Sequence, residues 1–305
     1  MTYPRAHLVD AENGGYYHVF SRCVQQQWLC GTDTVSGRSY EHRKQWIEDR
    51  LCKLASIFAV DLYAYAVMSN HYHVVLEVKP QQARSWPDRE VAERWCALGR
   101  SGAPKNLEVR IVQLLDNPGR LAVVRERLGN LSWLMAALNE YIARRANRES
   151  GAKGRFWQGR FESKRLLDET AVLACMAYVD LNPIRANIVE QPSEAPHTSI
   201  RRRVWQPDKA RSILVPLRVI GLNLEAYREL LQWTASVENG SIVPPAPSTA
   251  LTLSRVQQEP SVWLSCVKAH RFKYRAYGAL HLLREYAQSL GQRWLCGAKA
   301  GLAAP

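Results

Sequence analysis

Asn70-His71-Tyr72-His73-Val74-Val75-Leu76-Glu77-Val78 is the stretch on which the fold turns. In an extended strand successive side chains point to opposite faces. Tyr72, Val74, Leu76 and Val78 therefore form one apolar face that requires a core. His71 and His73 fall on the other face, roughly 7 Å apart along the strand, where two imidazoles can converge on one divalent cation. Taken alone, the pattern is equally that of a half-buried strand with two incidental histidines.

A second stretch bears on that choice: Tyr178-Val179-Asp180-Leu181-Asn182-Pro183-Ile184-Arg185-Ala186. Asp168 reads as the N-cap of a helix that follows a strand-like segment at 161–167, and Pro183 marks the helix end. Tyr178 and Asn182 are four residues apart and share a face with Cys175 and Ala171, while Leu173, Ala177 and Leu181 make an apolar stripe beside it. A tyrosine next to a carboxamide can offer a nucleophilic hydroxyl and an oxygen ligand to one metal. By themselves the two read more simply as a tyrosine at a core edge and an asparagine closing a helix before proline.

Two more stretches belong with these: Tyr17-His18-Val19-Phe20-Ser21-Arg22-Cys23 near the start, and Gly154-Arg155-Phe156-Trp157-Gln158-Gly159-Arg160-Phe161 ahead of the tyrosine helix. In their order along the chain the four resemble the single-tyrosine transposases of the HUH superfamily (histidine-hydrophobic-histidine), and within it the REP-associated tyrosine transposases. The resemblance runs over about residues 16–189. It implies that His71, His73 and Asn182 are metal ligands and Tyr178 the nucleophile. It also implies a bacterial source, a substrate of single-stranded DNA beside a short palindromic hairpin, and action as a monomer rather than a dimer. The chain departs from the simplest members in a segment of about 75 residues between the histidine strand and the Trp157 stretch, and in a long C-terminal tail.

Composition agrees with a nucleic-acid partner. The 305 residues carry a formal net charge of +13, with a pI near 9.6, and 47% are hydrophobic, enough for a folded core. Between 141 and 165 there are eight basic residues, Arg144, Arg145, Arg148, Lys153, Arg155, Arg160, Lys164 and Arg165, against Glu149 and Glu162. A solvated helix face is the ordinary explanation of such a run. Phe156, Trp157 and Phe161 interleaved with it favour nucleic acid, because cations hold phosphates while aromatic faces stack on unpaired bases. The expected DNA-binding set is Arg144, Arg148, Arg155, Trp157, Gln158, Arg160, Lys164 and Arg185, with Trp157 stacking or wedging.

Seven cysteines, an odd number without a C-x-x-C pair, argue against a zinc ribbon or a dense disulfide framework. No apolar leader and no stretch long enough for a bilayer are present, so a reducing, cytoplasmic, nucleoid-associated location without membrane contact is expected.

Strands are expected at 16–24, 61–68, the histidine stretch and 161–167, and helices at 41–58, 87–98, 107–128, 131–147 and from Asp168. This order fits an α+β fold, a ferredoxin-like antiparallel sheet with helices on one face and the other face free for the metal site. The expected organisation is a catalytic domain at 1–195 with a helical insertion at about 84–130, followed by a helical extension at 196–305. Within the extension, 191–196 and 243–248 read as linkers, and Trp263 reads as core. Glu77, on the histidine face, reads as an exposed strand-end carboxylate or a partner for His73; His18, on the first strand and able to face the same side, reads as structural.

Oxygen and nitrogen ligands with open positions suit Mg2+ or Mn2+ better than a closed zinc site. Such an ion would polarise a phosphodiester while the Tyr178 hydroxyl attacks phosphorus, leaving a 5′-phosphotyrosine and a free 3′-hydroxyl. A relative that binds DNA hairpins without cutting, and an RNA-binding protein on a ferredoxin-like sheet, are the other two readings.

Overall fold

The computed structural model describes residues 8–24, 29–32, 37–99, 106–272 and 274–295. Its centre is a five-stranded sheet in the order β2-β3-β1-β4-β5, where β1 is Gly15–Arg22, β2 Val60–Val67, β3 His71–Val78, β4 Glu162–Leu166 and β5 Ala276–Tyr277. The class is α+β, as the pattern predicts. β1 to β4 pair antiparallel, in the strand order of a ferredoxin-like sheet, and β5 adds a short parallel pairing to β4, so the full sheet is mixed. That extra strand comes from the C-terminal tail: Arg165 N–H donates to the Arg275 carbonyl and Leu167 N–H to that of Tyr277, each at 2.9 Å.

Alternation decides what each face buries. Tyr17 and Val19 of β1 and Tyr72, Val74 and Leu76 of β3 face a core shared with the helix Arg43–Ile57 and the long helix Leu131–Ser150, through Ile47, Leu51, Leu54, Leu134, Leu138 and Ile142. The long helix starts where Asn130 Oδ1 accepts the Ser132 N–H (2.8 Å) and stops at Gly151 in the left-handed region (φ 65°). The insertion joins this core through Val91, Ile111, Leu114, Leu121 and Val124. The helix expected over 107–128 is two, Leu107–Leu115 and Pro118–Leu128. Pro118 lacks an N–H and pushes Asn117 out of helical geometry, while the Asn117 carboxamide oxygen caps the second helix through the Arg120 N–H (3.0 Å).

The opposite face is not open. Tyr63, Ala64, Ala66, Val75 and Leu166 pack on the helix Glu169–Asp180, which corrects the expectation of helices on one face only. The reason lies in that helix: Ala171, Val172, Leu173, Ala174, Cys175, Met176, Ala177 and Val179 are all buried, so it is apolar nearly all round and needs cover on two sides. The sheet supplies one side and the tail the other, through Tyr227, Leu230, Leu231, Trp263 and Val267. Trp263 is fully buried, as expected, with Nε1 donating to Thr234 Oγ1 (2.9 Å). The 191–196 linker contains a 3-10 turn at Pro192–Glu194, and the one at 243–248 ends in the helix Pro247–Arg255.

The six described cysteines, Cys23, Cys30, Cys52, Cys96, Cys175 and Cys266, are free; Cys296 lies outside the described residues. Among the described residues no helix is long and apolar enough to cross a membrane.

One buried network ties the tail to the first helix. Glu48 accepts from the Tyr65 hydroxyl (2.5 Å), His197 Nδ1 (2.7 Å) and Arg202 Nη2 (2.8 Å). Burial pushes its carboxyl up, but the hydrogen bonds from His197, Tyr65 and Arg202 outweigh burial and hold it at about 2, against 4.5 for a free glutamate. A depressed carboxyl stabilises the fold above its unfolded pKa, and that stabilisation is lost as pH falls from about 4.5 through about 2. Glu48→Gln should therefore cost about 3 kcal/mol at pH 7, with the gap to wild type closing near pH 2. Urea unfolding at the two pH values checks this; a gap that persists in acid would assign the loss to packing instead.

Candidate active site

β3 presents His71 and His73 on the same face, with ring centroids 4.8 Å apart and planes at 87°. In each ring Nδ1 is committed: His71 Nδ1 to Asn70 Oδ1 (2.5 Å), His73 Nδ1 to His18 Nε2 (2.9 Å). Among the described residues, Nε2 is then the nitrogen of each ring without a partner. Both rings are neutral at pH 7, because burial, and then the Arg22 charge, pushes His71 down to about 4, and burial, followed by repulsion from the His71 ring once that is protonated and by the charges of Lys164, Arg22 and Arg185, pushes His73 well below the usual histidine range. His71 Nδ1 faces an acceptor oxygen, which leaves an Nε2 lone pair; His73 offers one too in the tautomer whose Nδ1–H is donated to His18 Nε2, and in that state the two neutral imidazoles are a competent donor pair.

Tyr178 reaches the same place from the helix Glu169–Asp180. That helix begins where Asp168 Oδ1 accepts the Ala171 N–H (2.7 Å) and ends at Leu181, before Asn182-Pro183. The Tyr178 ring is half-buried, with its centroid 5.8 Å from that of His73 and 5.9 Å from that of His18. Burial raises its hydroxyl above the ordinary tyrosine range, against the pull of Arg185, whose guanidinium carbon lies 4.8 Å from the ring centroid. Arg185 also donates to the Tyr178 carbonyl (2.7 Å) and to Glu238 (2.8 Å), so it braces this turn. Asn182 opens the next short helix, and its Nδ2 donates to the Tyr178 carbonyl (3.1 Å), leaving Oδ1 as the atom available for a cation.

The structure sends several other expected site residues elsewhere. Glu77 shares the histidine face but is bonded to Tyr63 (3.4 Å) and paired with Lys79 (3.6 Å), at the far end of β3 from His71. Trp157 is not free to stack on a base: it is 9% exposed, donates from Nε1 to the Asn139 carbonyl (2.9 Å) and sets its ring edge-on to Tyr72. Lys164 is not a surface cation: its Nζ is buried and donates to the carbonyls of His270 (3.0 Å) and Phe272 (2.8 Å) and to the Tyr277 hydroxyl (3.2 Å). It sits on the buried face of β4 and anchors the tail. Trp157→Ala should accordingly lower unfolding stability by about 3 kcal/mol, measured by urea titration. A Trp157→Ala protein of unchanged stability with weakened DNA binding would restore the stacking role.

Arg155, Gln158 and Arg160 are exposed on the loop that follows the long helix. The Gln158 N–H donates to the Arg22 carbonyl (2.8 Å), and Arg22 lies opposite His71 in the sheet. This loop therefore places cations at the His71 end of the site. Arg144 and Arg148 lie on the other layer, where with Arg50 and Arg145 they line a groove of about 480 Å³, Arg144 being paired with Glu140.

Two contributors were not assigned to the site from the sequence, where His18 reads as structural and His270 is not singled out. His18, on β1, holds His73, and His270, from the end of the helix Pro260–Ala269, lies with its ring centroid 5.8 Å from that of Tyr178 and 6.1 Å from that of His18. Alternation does place His18 on the histidine face once the β1–β3 register is known. Nothing local marks His270.

No family model matches the chain, and no curated protein does. Among solved structures, one of a REP-associated tyrosine transposase bound to a REP hairpin is similar, at 13% identity and a TM-score of 0.40, over 68% of this chain and 87% of that one. An overlap this loose assigns no role to any residue here.

Proposed function

We propose that the chain nicks single-stranded DNA beside a hairpin and transfers the strand through a tyrosine-linked intermediate, with Tyr178 as nucleophile and His71, His73 and Asn182 as ligands to a divalent cation. The observation that carries this reading is the donor geometry: both Nδ1 atoms committed, both Nε2 atoms not, and the Tyr178 ring packed against His73. The donor set of two neutral imidazoles and one amide oxygen fits the expected ion. Mg2+ or Mn2+ bound there would polarise the scissile phosphate and offset the charge that builds on it.

The chain's own residues account for the rest. Tyr178 Oη forms a bond to phosphorus as the bond to the 3′-oxygen breaks; the phenolic proton is lost to solvent and the 3′-oxygen takes one up. Arg185 beside the ring favours the ionised tyrosine. The phosphotyrosine ester keeps the energy of the broken bond, so a 3′-hydroxyl can attack it and reseal or transfer the strand. Arg22, opposite His71, and Arg155 and Arg160, on the loop bonded to Arg22 through Gln158, would hold a phosphate backbone entering at His71. Replacing Arg155 and Arg160 together with alanine should flatten the slope of log affinity against log salt by about 1.4 for a single strand; an unchanged slope would remove this loop from the interface.

A second reading, a hairpin-binding protein that does not cut, is favoured by the cover over the site: His73 is only 6% exposed, and His270 packs against Tyr178. Incubating the full chain with end-labelled hairpin-bearing single strands and Mn2+, then running a denaturing gel, separates the two. A denaturant-resistant protein–DNA adduct is expected. A shift on a native gel without any adduct supports the binder, and neither result would sink both.

A further inference from the structure

We propose that His18, Cys175 and His270 form a second metal site, selective for zinc, behind the histidine pair of β3. The three come from β1, the tyrosine helix and the tail, yet their candidate ligand atoms all lie within 4.8 Å of one another. All are buried, His18 and Cys175 fully and His270 to 2% exposure. His18 Nε2 is taken by His73, and its Nδ1 is a buried nitrogen with no hydrogen-bond partner; His270 Nδ1 is in the same position. Two orphaned ring nitrogens, on histidines that each bring a ring nitrogen within 4.8 Å of the buried Cys175 sulfur, would each cost about 1–3 kcal/mol if left unsatisfied, and a single cation on both Nδ1 atoms satisfies them together.

The donors select the ion. One sulfur and two imidazole nitrogens are too soft for Mg2+ and suit Zn2+, which takes thiolate at about 2.3 Å and imidazole at about 2.0–2.1 Å. Those bond lengths put tetrahedral ligand atoms roughly 3.3–3.7 Å apart, so the widest pair closes by about 1 Å when the ion enters. The neighbouring charges are positive: Lys164 Nζ is fixed 3.0 Å from the His270 carbonyl, and Arg185 braces Tyr178. Arg185 is already paired with Glu238, and Cys175, giving its proton to solvent and binding as thiolate, cancels one of the ion's two charges.

The hydrogen bond between His18 and His73 links the two sites through one proton. Zinc on His18 Nδ1 puts that ring's proton on Nε2, where it donates to His73 Nδ1. A neutral His73 then carries its own proton on Nε2 and cannot ligate there. Zinc at the buried site and a cation on His73 are therefore mutually exclusive, a consequence that rests on the reading above, whereas the zinc site itself does not.

The test uses the full chain, dialysed against zinc and assayed for bound metal, with cobalt(II) as a spectroscopic substitute. One equivalent of zinc and a thiolate-to-cobalt charge-transfer band are expected. Both should be retained in His71→Ala and lost in Cys175→Ala and His270→Gln, with circular dichroism confirming that each variant is folded. Zinc should also raise the Tm of wild type and not that of Cys175→Ala. Absence of zinc uptake overturns the proposal, as does zinc that survives Cys175→Ala but not His71→Ala, because the ion then sits on β3. Mn2+ titration followed by electron paramagnetic resonance reads the linkage: zinc-loaded protein should bind Mn2+ at least about tenfold more weakly than zinc-free protein. Equal affinities overturn the linkage, and no Mn2+ binding in either form removes the cleavage reading while leaving the zinc site standing.

Discussion

Tyr178→Phe should eliminate the covalent protein–DNA adduct while the protein remains folded and still binds hairpin DNA. Phenylalanine keeps the ring that packs against His73, His18 and His270 and removes only the hydroxyl. Among the described residues that hydroxyl has no hydrogen-bond partner, so its loss strands no buried group and stability should change by less than about 1 kcal/mol. Without a nucleophile there is no ester to form, and the rate should fall by on the order of 10⁴-fold or more. Tyr141 is the competitor to exclude. It lies on the long helix, on the other side of the sheet, with its hydroxyl accepting from Arg145 Nη1 (2.9 Å) and Arg50 4.8 Å from its ring centroid. Tyr141→Phe should therefore keep the adduct. An adduct that persists in Tyr178→Phe and vanishes in Tyr141→Phe would overturn the assignment and with it the place of Asn182.

The contrast between these two tyrosines shows what the sequence makes legible. Spacing along one element is written in the chain: His71 and His73 alternate onto one face, Asp168 caps the tyrosine helix, and Asn182 falls one turn after Tyr178. Proximity between elements is not. His18 meets His73 because β1 and β3 pair in one register out of several the pattern allows. His270 arrives from a tail helix whose docking depends on covering the outer side of the helix Glu169–Asp180. Counting charge misled for a related reason. Lys164 and Trp157 lie in the most basic stretch of the chain, but Lys164 points from β4 to the same face as Leu166, and Trp157 closes the loop onto Cys23 at the end of β1. A lysine at a strand position is buried when carbonyls are at hand to accept from it, and those carbonyls belong to His270 and Phe272, more than a hundred residues away.

His73→Ala should abolish cleavage, by at least about 10³-fold, and leave hairpin binding within a few-fold of wild type. The ring is a ligand in the proposed reaction, and it packs against His18, Phe20, His71 and Tyr178, which lie outside the exposed basic loop. The sharper measurement is on its neighbour. If His73 holds the ion through Nε2, its proton sits on Nδ1 and is donated to His18 Nε2, which fixes the ring's tautomer and direction. His18→Phe removes that acceptor and keeps a planar ring of similar size. In zinc-free buffer it should raise the Mn2+ concentration needed for half-maximal cleavage by about 10–100-fold, with much of the rate recovered at saturating Mn2+. His18→Gln, whose carboxamide oxygen can accept from His73 Nδ1, should lie between wild type and His18→Phe. A positioning role predicts this graded shift in metal requirement; a purely structural role predicts a lower Tm with the Mn2+ dependence unmoved. If His18→Phe cleaves at wild-type Mn2+ concentrations, then His73 does not depend on His18 for its geometry. A His73→Ala protein that still forms adduct would place the cation elsewhere altogether.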